Sequence, residues 1–345
     1  MESDIQFVIG TMRWSFSRLS SFYNCKKEWF EQYVNANRGA DSSFGQFGGY
    51  CHKLLEKFAK GEIEASSLAD YYKENYLDNV YLPFPPNSYV DLSQKYYDSG
   101  LEYFEHFNVD LSQYDVLGVE KKVEFKIDGK DFIGFIDLLL RDKESGEITI
   151  LDHKSATIKI LKSGKISKSD QAHFEDFKRQ LYLYSMPVIE EYGAVSKLKW
   201  NLFKQGEFIE IPWRKDEYDA TIQWAIDTIK LIENEEEFAA EPDEFYCRNL
   251  CSMRDDYCPF RRLEIIYNRI YSKCYSKKSK YYDEYGGIGI EMCDDWKDDK
   301  RQFFEWALMN GYDDDYVLKR HDPFGNFDFF NCYWDYPEET YAELS

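Results

Sequence analysis

No stretch of the 345-residue sequence is apolar for long enough to cross a bilayer. The longest strongly apolar run, Ile133-Gly-Phe-Ile-Asp-Leu-Leu-Leu140, is short and interrupted by an acid, whereas a membrane-spanning helix needs about 20 apolar residues. The opening residues, Met1-Glu-Ser-Asp-Ile-Gln-Phe7, lack the cationic and apolar segments of a secretory signal. These absences predict a cytoplasmic protein with no membrane partner. Internal repeats and low-complexity tracts are missing as well. Positive charge is scarce: 43 Lys and Arg face 64 Asp and Glu, a formal balance of −21. Such a balance argues against coating nucleic acid or anionic membrane through an overall field.

What is present is the composition of a globular chain. Hydrophobic residues make up 43% and aromatics 18%, too many for a disordered chain despite a mean hydropathy of −0.63. The length fits one large domain or two ordinary ones. In a reducing compartment the eight cysteines (Cys25, Cys51, Cys247, Cys251, Cys258, Cys274, Cys293 and Cys332) read as metal ligands where they cluster, rather than as disulfides.

Charge divides the chain more clearly than proline or glycine does. Residues 281–345 hold seventeen acids and five bases, and thus carry over half of the net excess. Residues 153–180 hold seven bases and three acids. The expected division is a larger first domain, 1–265, and an acidic, aromatic-rich region, 266–345.

Helical spacing of Leu19, Phe22, Lys26, Phe30 and Tyr33, with a serine N-cap at Ser15 or Ser17, predicts a first helix. A glycine-rich break, Gly45-Gln-Phe-Gly-Gly49, precedes a predicted helix over 50–60. Pro83-Phe-Pro-Pro-Asn87 punctuates a helical region that resumes near Leu92. Alternating and β-branched residues predict strands over 118–127, 131–141 and 147–154, with another over 198–203. Helices return over 169–192 and 215–238. Helices, a β-meander and further helices make an α/β domain with a sheet covered by helices.

The polar loop Lys143-Glu-Ser-Gly146 makes the second and third strands an antiparallel hairpin. Counting inward from Asp142 opposite Glu147 sets Asp137 opposite Asp152, with β-carbons about 5 Å apart, where like charges repel. An intervening cation relieves that repulsion. Lys154 lies two residues from Asp152 on the same face. Asp137, Asp152 and Lys154 therefore outline a Mg²⁺ or Mn²⁺ pocket with a lysine beside it, suited to phosphodiester hydrolysis. The same residues read, more plainly, as an exposed salt-bridged hairpin, and a one-residue slip would turn Asp137 to the other face.

Gly134-Phe-Ile-Asp137, Ile150-Leu-Asp-His-Lys154 and Gln180-Leu-Tyr-Leu-Tyr184 resemble, in order and spacing, the RecB-like branch of the PD-(D/E)XK nucleases. Gly48-Gly-Tyr-Cys-His52 resembles the Gly-x-x-x-His helix of that branch, and Ser15-Phe-Ser-Arg-Leu-Ser-Ser-Phe-Tyr-Asn-Cys25 its opening segment. The match spans about residues 13–262. The resemblance implies a restriction-endonuclease-like α/β core with a mixed central sheet flanked by helices and a mainly helical C-terminal appendage. It also implies Asp137, Asp152, Lys154, Gln180 and Tyr184 as catalytic residues. Metal ligands would be His52, Asp137, Asp152 and the His153 backbone carbonyl, with Glu120 as a lesser one. Outside the resemblance, His52 reads as a helix histidine, Gln180 and Tyr184 as packing, and Glu120 as a solvated strand-edge acid.

Cys247, Cys251 and Cys258 form a compact triplet closed by Pro259, and four thiolates need one remote partner, for which Cys25 is the candidate. Iron–sulfur members of the branch, among them CRISPR-associated nucleases and the AddB subunit, imply a [4Fe-4S] cluster on these four. The spacing has one extra residue in each gap compared with those relatives. Zinc is the alternative ligand and unligated cysteines the plain reading, while the other four cysteines read as ordinary core or surface.

Lys159, Lys162, Lys165 and Lys168 follow the Asp-x-Lys strand and read equally as a DNA contact and as a solvated loop. Residues 266–345 read as a helical appendage, or as a surface that docks a replication or recombination partner or mimics DNA and guards the active-site groove. The expected function is a metal-dependent DNA exonuclease acting on single-stranded or end-frayed DNA. Its rivals are a non-catalytic DNA-binding subunit and a restriction-type endonuclease.

Overall fold

The alternation that starts near Val116 builds a five-stranded sheet, β1 (Tyr114–Ile127), β2 (Lys130–Asp142), β3 (Ile148–Lys154), β4 (Lys197–Leu202) and β5 (Glu207–Pro212), arranged in that spatial order. The structure is a computed structural model that describes residues 2–87, 89–240, 246–247, 250–253, 258–313 and 315–337. The β1–β2, β2–β3 and β4–β5 pairs are antiparallel, and β3–β4 is parallel. A parallel neighbour requires a crossover. The crossover contains α7 (Gln171–Tyr192), which thereby packs along β1, β2 and β3. The result is the expected mixed α/β core. The sequence reading missed β5, although Phe208, Ile209 and Ile211 among glutamates carry a strand's alternation.

Strand pleat decides what each face meets. Leu139 and Ile150, paired across β2 and β3, join the large core that contains Leu181, Tyr184 and Trp200. Leu138 and Leu151, the adjacent pair, face the other way with Leu140 and Ala59. A third cluster under α4 (Ser43–Ala59), α5 (Leu68–Asn79) and α6 (Leu92–Glu105) centres on Tyr72, Phe104 and Phe203. The first helix, α1 (Glu2–Gly10), packs against α8 (Lys215–Glu233), which fills most of the helix expected over 215–238.

Two helical expectations change. The helix predicted around Leu19 to Tyr33 is two, α2 (Phe16–Phe22) and α3 (Lys26–Tyr33), hinged at Tyr23–Cys25; Ser15 caps α2 by accepting from the Arg18 N–H. The glycine-rich break is no break. Gly45, Gly48 and Gly49 lie inside α4, and at Gly48 a β-carbon would come within 3.2 Å of Ser155 Oγ. Glycine there serves close approach of the helix to the segment after β3.

The chain divides into two units, Met1–Asn37 with Asp41–Ala239, and Arg38–Ala40 with Ala240–Ser345. The second contains α9 (Pro259–Tyr275), α10 (Asp294–Asp298), α11 (Lys300–Met309) and an antiparallel pair, β6 (Val317–Arg320) and β7 (Cys332–Asp335). Its aromatics are a core. Trp296 is fully buried, with Trp306, Phe303 and Phe329 ring centroids at 4.8, 5.0 and 5.2 Å. Edge-on and tilted rings at such distances add to the burial itself.

Candidate active site

Three strands bring three acids into one row. Val119↔Leu138 and Lys121↔Ile136 bracket Glu120 against Asp137, and Leu138↔Leu151 sets Asp152 next in register with Asp137. Glu120 adopts φ 48°, a left-handed conformation that costs energy for a residue bearing a β-carbon and that re-aims its side chain. Donor atoms of Glu120, Asp137 and His52 lie within 4.8 Å of one another. His52 comes from α4, with Nδ1 3.5 Å from Asp137 Oδ2.

The electrostatics of the row are those of crowded like charges. Burial and the Asp152 carboxylate push the Asp137 pKa well up, against the opposing pull of the His153 N–H, which donates to Oδ2 at 2.6 Å. Burial also raises Glu120, helped by Glu56 and Asp152. The His52 pKa is lowered, chiefly by burial, despite Asp152 and a hydrogen bond to the His153 backbone. A neutral imidazole is the form that ligates metal.

Gln180 of α7 ties the other side together. Lys154 Nζ donates to Gln180 Oε1 at 2.6 Å, and Gln180 Nε2 donates to Asp152 Oδ1 at 3.1 Å. Lys154 Nζ also forms an ion pair with the buried Asp152 Oδ2 at 2.9 Å. Tyr184, one turn on, is held in its neutral phenol form by burial and by Asp152. Its ring lies against Gly134, where a β-carbon would be 2.3 Å from Cε1. That approach is a physical reason for glycine at the start of Gly134-Phe-Ile-Asp137.

Carboxylate oxygens and one imidazole form a hard donor set that fits Mg²⁺ or Mn²⁺. Donor atoms of His52, Glu120 and Asp137 within 4.8 Å of one another fit a divalent cation too. The sequence-predicted residues Asp137, Asp152, Lys154, Gln180, Tyr184, His52 and Glu120 are thus brought together. The His153 backbone lies at Asp137 and His52. Its side chain is instead buried with Asn201, whose Nδ2 is 2.9 Å from His153 Nδ1 and 2.7 Å from the Tyr103 hydroxyl. Asn201 and Tyr103 escaped the sequence reading. The available signal was an amide between the apolar Trp200 and Leu202 at the buried end of the strand.

Lys159, Lys162, Lys165 and Lys168 are exposed on the segment linking β3 to α7, and among the described residues none pairs with a carboxylate side chain. The segment is shaped by backbone bonds, Leu161 N–H to Lys165 and Ser167 N–H to Lys159, and by Lys159 N–H donating to Asp170. Cys25 N-caps α3 in the first unit, whereas Cys247, Cys251 and Cys258 belong to the second. Parts of the triplet's spacers, 248–249 and 254–257, lie outside the described residues. Cys51, Cys274 and Cys332 are buried, with thiol pKa values raised by that burial.

Comparison with known proteins follows the same residues. A family model described as the PD-(D/E)XK nuclease superfamily matches residues 13–263. No curated protein matches the sequence significantly. Among solved structures, a protein from Eubacterium rectale provisionally named an exonuclease is 14% identical, with a TM-score of 0.41, covering 72% of this chain and 87% of its own. The structure of SSO0001 is 16% identical, with a TM-score of 0.28, covering 70% and 94%.

Proposed function

Because the chain belongs to the PD-(D/E)XK nuclease superfamily, we propose that it is a Mg²⁺- or Mn²⁺-dependent deoxyribonuclease of the RecB-like branch, an exonuclease on single-stranded or end-frayed DNA in replication, recombination or repair. The observation that carries the reading is the row Glu120, Asp137 and Asp152 across three strands, with Lys154 locked to Asp152 and Gln180. Residues 1–265 form the nuclease domain in this reading, and the acidic region 266–345 docks a replication or recombination protein.

Asp137, Asp152, His52 and the His153 carbonyl would hold the metal, with Glu120 beside them. The bound ion supplies Lewis-acid polarisation of the phosphate and lowers the pKa of water. Lys154 positions the attacking water and offsets charge developing on the phosphate. Gln180 fixes Lys154 and Asp152 relative to each other, so the water site keeps one geometry. Tyr184, kept protonated, supplies a donor and braces β2 through Gly134. Lys159, Lys162, Lys165 and Lys168 track the phosphate backbone.

Cys25, Cys247, Cys251 and Cys258 would carry a [4Fe-4S] cluster, with zinc as the alternative. Iron-free, colourless protein after anaerobic purification would reject the cluster, and a Cys25→Ser variant with full metal content would reject the four-cysteine grouping.

The central test is digestion of 5′- and 3′-labelled single- and double-stranded DNA with Mg²⁺ or Mn²⁺, beside Lys154→Ala. Stepwise shortening by the wild type and none by the variant is the expected result. Internal cuts would favour a restriction-type endonuclease. Absence of cleavage on every substrate would leave the non-catalytic binding subunit, and equal cleavage by the variant would remove Lys154 from the site.

A further inference from the structure

The second unit is rich in acids, yet it contains a groove of about 850 Å³ whose lining residues include five bases and no acid. Arg262, Arg269 and Lys273 come from α9 and Lys319 and Arg320 from β6. The source is local: residues 259–280 hold seven bases and one acid, ahead of the acidic stretch. Arg262, Arg269 and Lys273 are seven and four residues apart, so they share one helix face, and the last two are about 6 Å apart along the axis. That is the scale of successive phosphates on an extended strand.

Part of this face carries no ion pair among the described residues. Among the described residues neither Arg269 nor Lys273 pairs with a carboxylate. Lys319 is held by Asp335 at 3.1 Å, and Arg320 donates to the Gly325 carbonyl at 2.6 Å. Rings lie beneath the cations instead. Lys273 Nζ is 4.7 Å from the Tyr285 centroid, and the Arg320 guanidinium is 5.1 Å from Tyr285 and 4.3 Å from Phe327. Tyr333, stacked on His321 at 4.4 Å, and Tyr316 complete the aromatic wall.

We propose that this groove binds a single-stranded nucleic acid, with Arg269, Lys273 and Arg320 on successive phosphates and bases against Tyr285 and Tyr333. An anion is favoured because bases clustered in a concave lining without acids focus the field. Polynucleotide is favoured over a lone phosphate by the groove's size and by the alternation of cations with flat rings, the combination that single-strand grooves use. A duplex turns its bases inward and would leave the rings unused. The class of ligand rests on the nuclease reading, but the site is separate from the acid row and needs no metal.

The test is fluorescence anisotropy of labelled oligo-thymidylate with full-length protein in EDTA, in a Lys154→Ala background so that cleavage plays no part. Arg269→Glu with Lys273→Glu should weaken binding by about tenfold or more. It should also lower the slope of log K against log salt by about 0.7 for each phosphate that the variant no longer neutralises. Unchanged affinity and slope would overturn the proposal. So would equal displacement by polyglutamate of matched length, which would make the groove an acidic-peptide site. Should the double variant not fold, photocrosslinking of iodouridine-substituted oligonucleotide to Lys154→Ala protein decides. Crosslinks at Tyr285 or Tyr333 are expected, and crosslinks confined to the first unit would overturn it. Binding and cleavage fail independently: a lost DNase activity with intact groove binding rejects the nuclease reading alone.

Discussion

The two units place charge in opposite ways. In the first, β-sheet register forces Glu120, Asp137 and Asp152 side by side, with Lys154 as the cation in contact. In the second, the acid-rich C-terminal stretch folds around a groove whose own lining is cationic, its charges spread over helix turns and laid on rings. Register fixes separations to within a strand spacing, so acids there have little room to move apart. Helix spacing leaves long flexible side chains room to separate. The net charge of a region therefore says little about what its surface binds; what matters is which charges the topology leaves uncompensated.

The largest expected effects break or confirm the first half of that contrast. Asp137→Asn keeps an oxygen to accept the His153 N–H but removes one of the crowded carboxylates. Metal-dependent cleavage should fall by at least about 10²-fold, while the metal-free protein melts a few degrees higher, as relief of carboxylate burial and of repulsion by Asp152 requires. A lower melting temperature in EDTA would mean that the buried Asp137 carboxylate is not held there at a cost to folding. Lys154→Ala should reduce cleavage by about 10²–10⁴-fold, measured as single-turnover rate at saturating metal.

Packing behind the row comes next. Gly134→Ala drives a β-carbon into the Tyr184 ring and should cost about 1–3 kcal/mol in urea unfolding, with partial recovery in a Gly134→Ala, Tyr184→Leu double variant. Asn201→Leu strands the buried His153 nitrogen and Tyr103 hydroxyl, and should cost a similar about 1–3 kcal/mol. A neutral result would show that the three groups do not brace β3.

The smallest effect sharpens the second half. Arg269→Gln with Lys273→Gln should change stability by no more than about 0.5 kcal/mol in the same assay, since neither residue has an acid partner among the described residues. A destabilisation several times larger would mean the cations hold the second unit together, and the contrast between a strained row and a relaxed groove would fail.

Much of the first unit was legible. The hairpin loop and the alternation around it are local signals, so the Asp137–Asp152 register could be counted from Lys143-Glu-Ser-Gly146, and the structure has that register. Gly48 misled because glycine signals either a turn or a close approach, and only its neighbour, Ser155, distinguishes them. Glu120 read as a strand-edge acid because its left-handed backbone has no signature in Gly118-Val-Glu-Lys-Lys122.

By itself the sequence determined which residues could do chemistry and which elements would carry them, because pleat and helix periodicity depend on near neighbours. Only the tertiary structure decided the partners. Packing brought His52 from α4 to Asp137, and the crossover laid Gln180 between Lys154 and Asp152. The parallel β4 supplied Asn201 behind His153, and β6 closed a cationic groove against α9 from about fifty residues away in the chain. Each of these meetings joins elements distant in sequence, where no local pattern can specify who faces whom and burial of the shared core does.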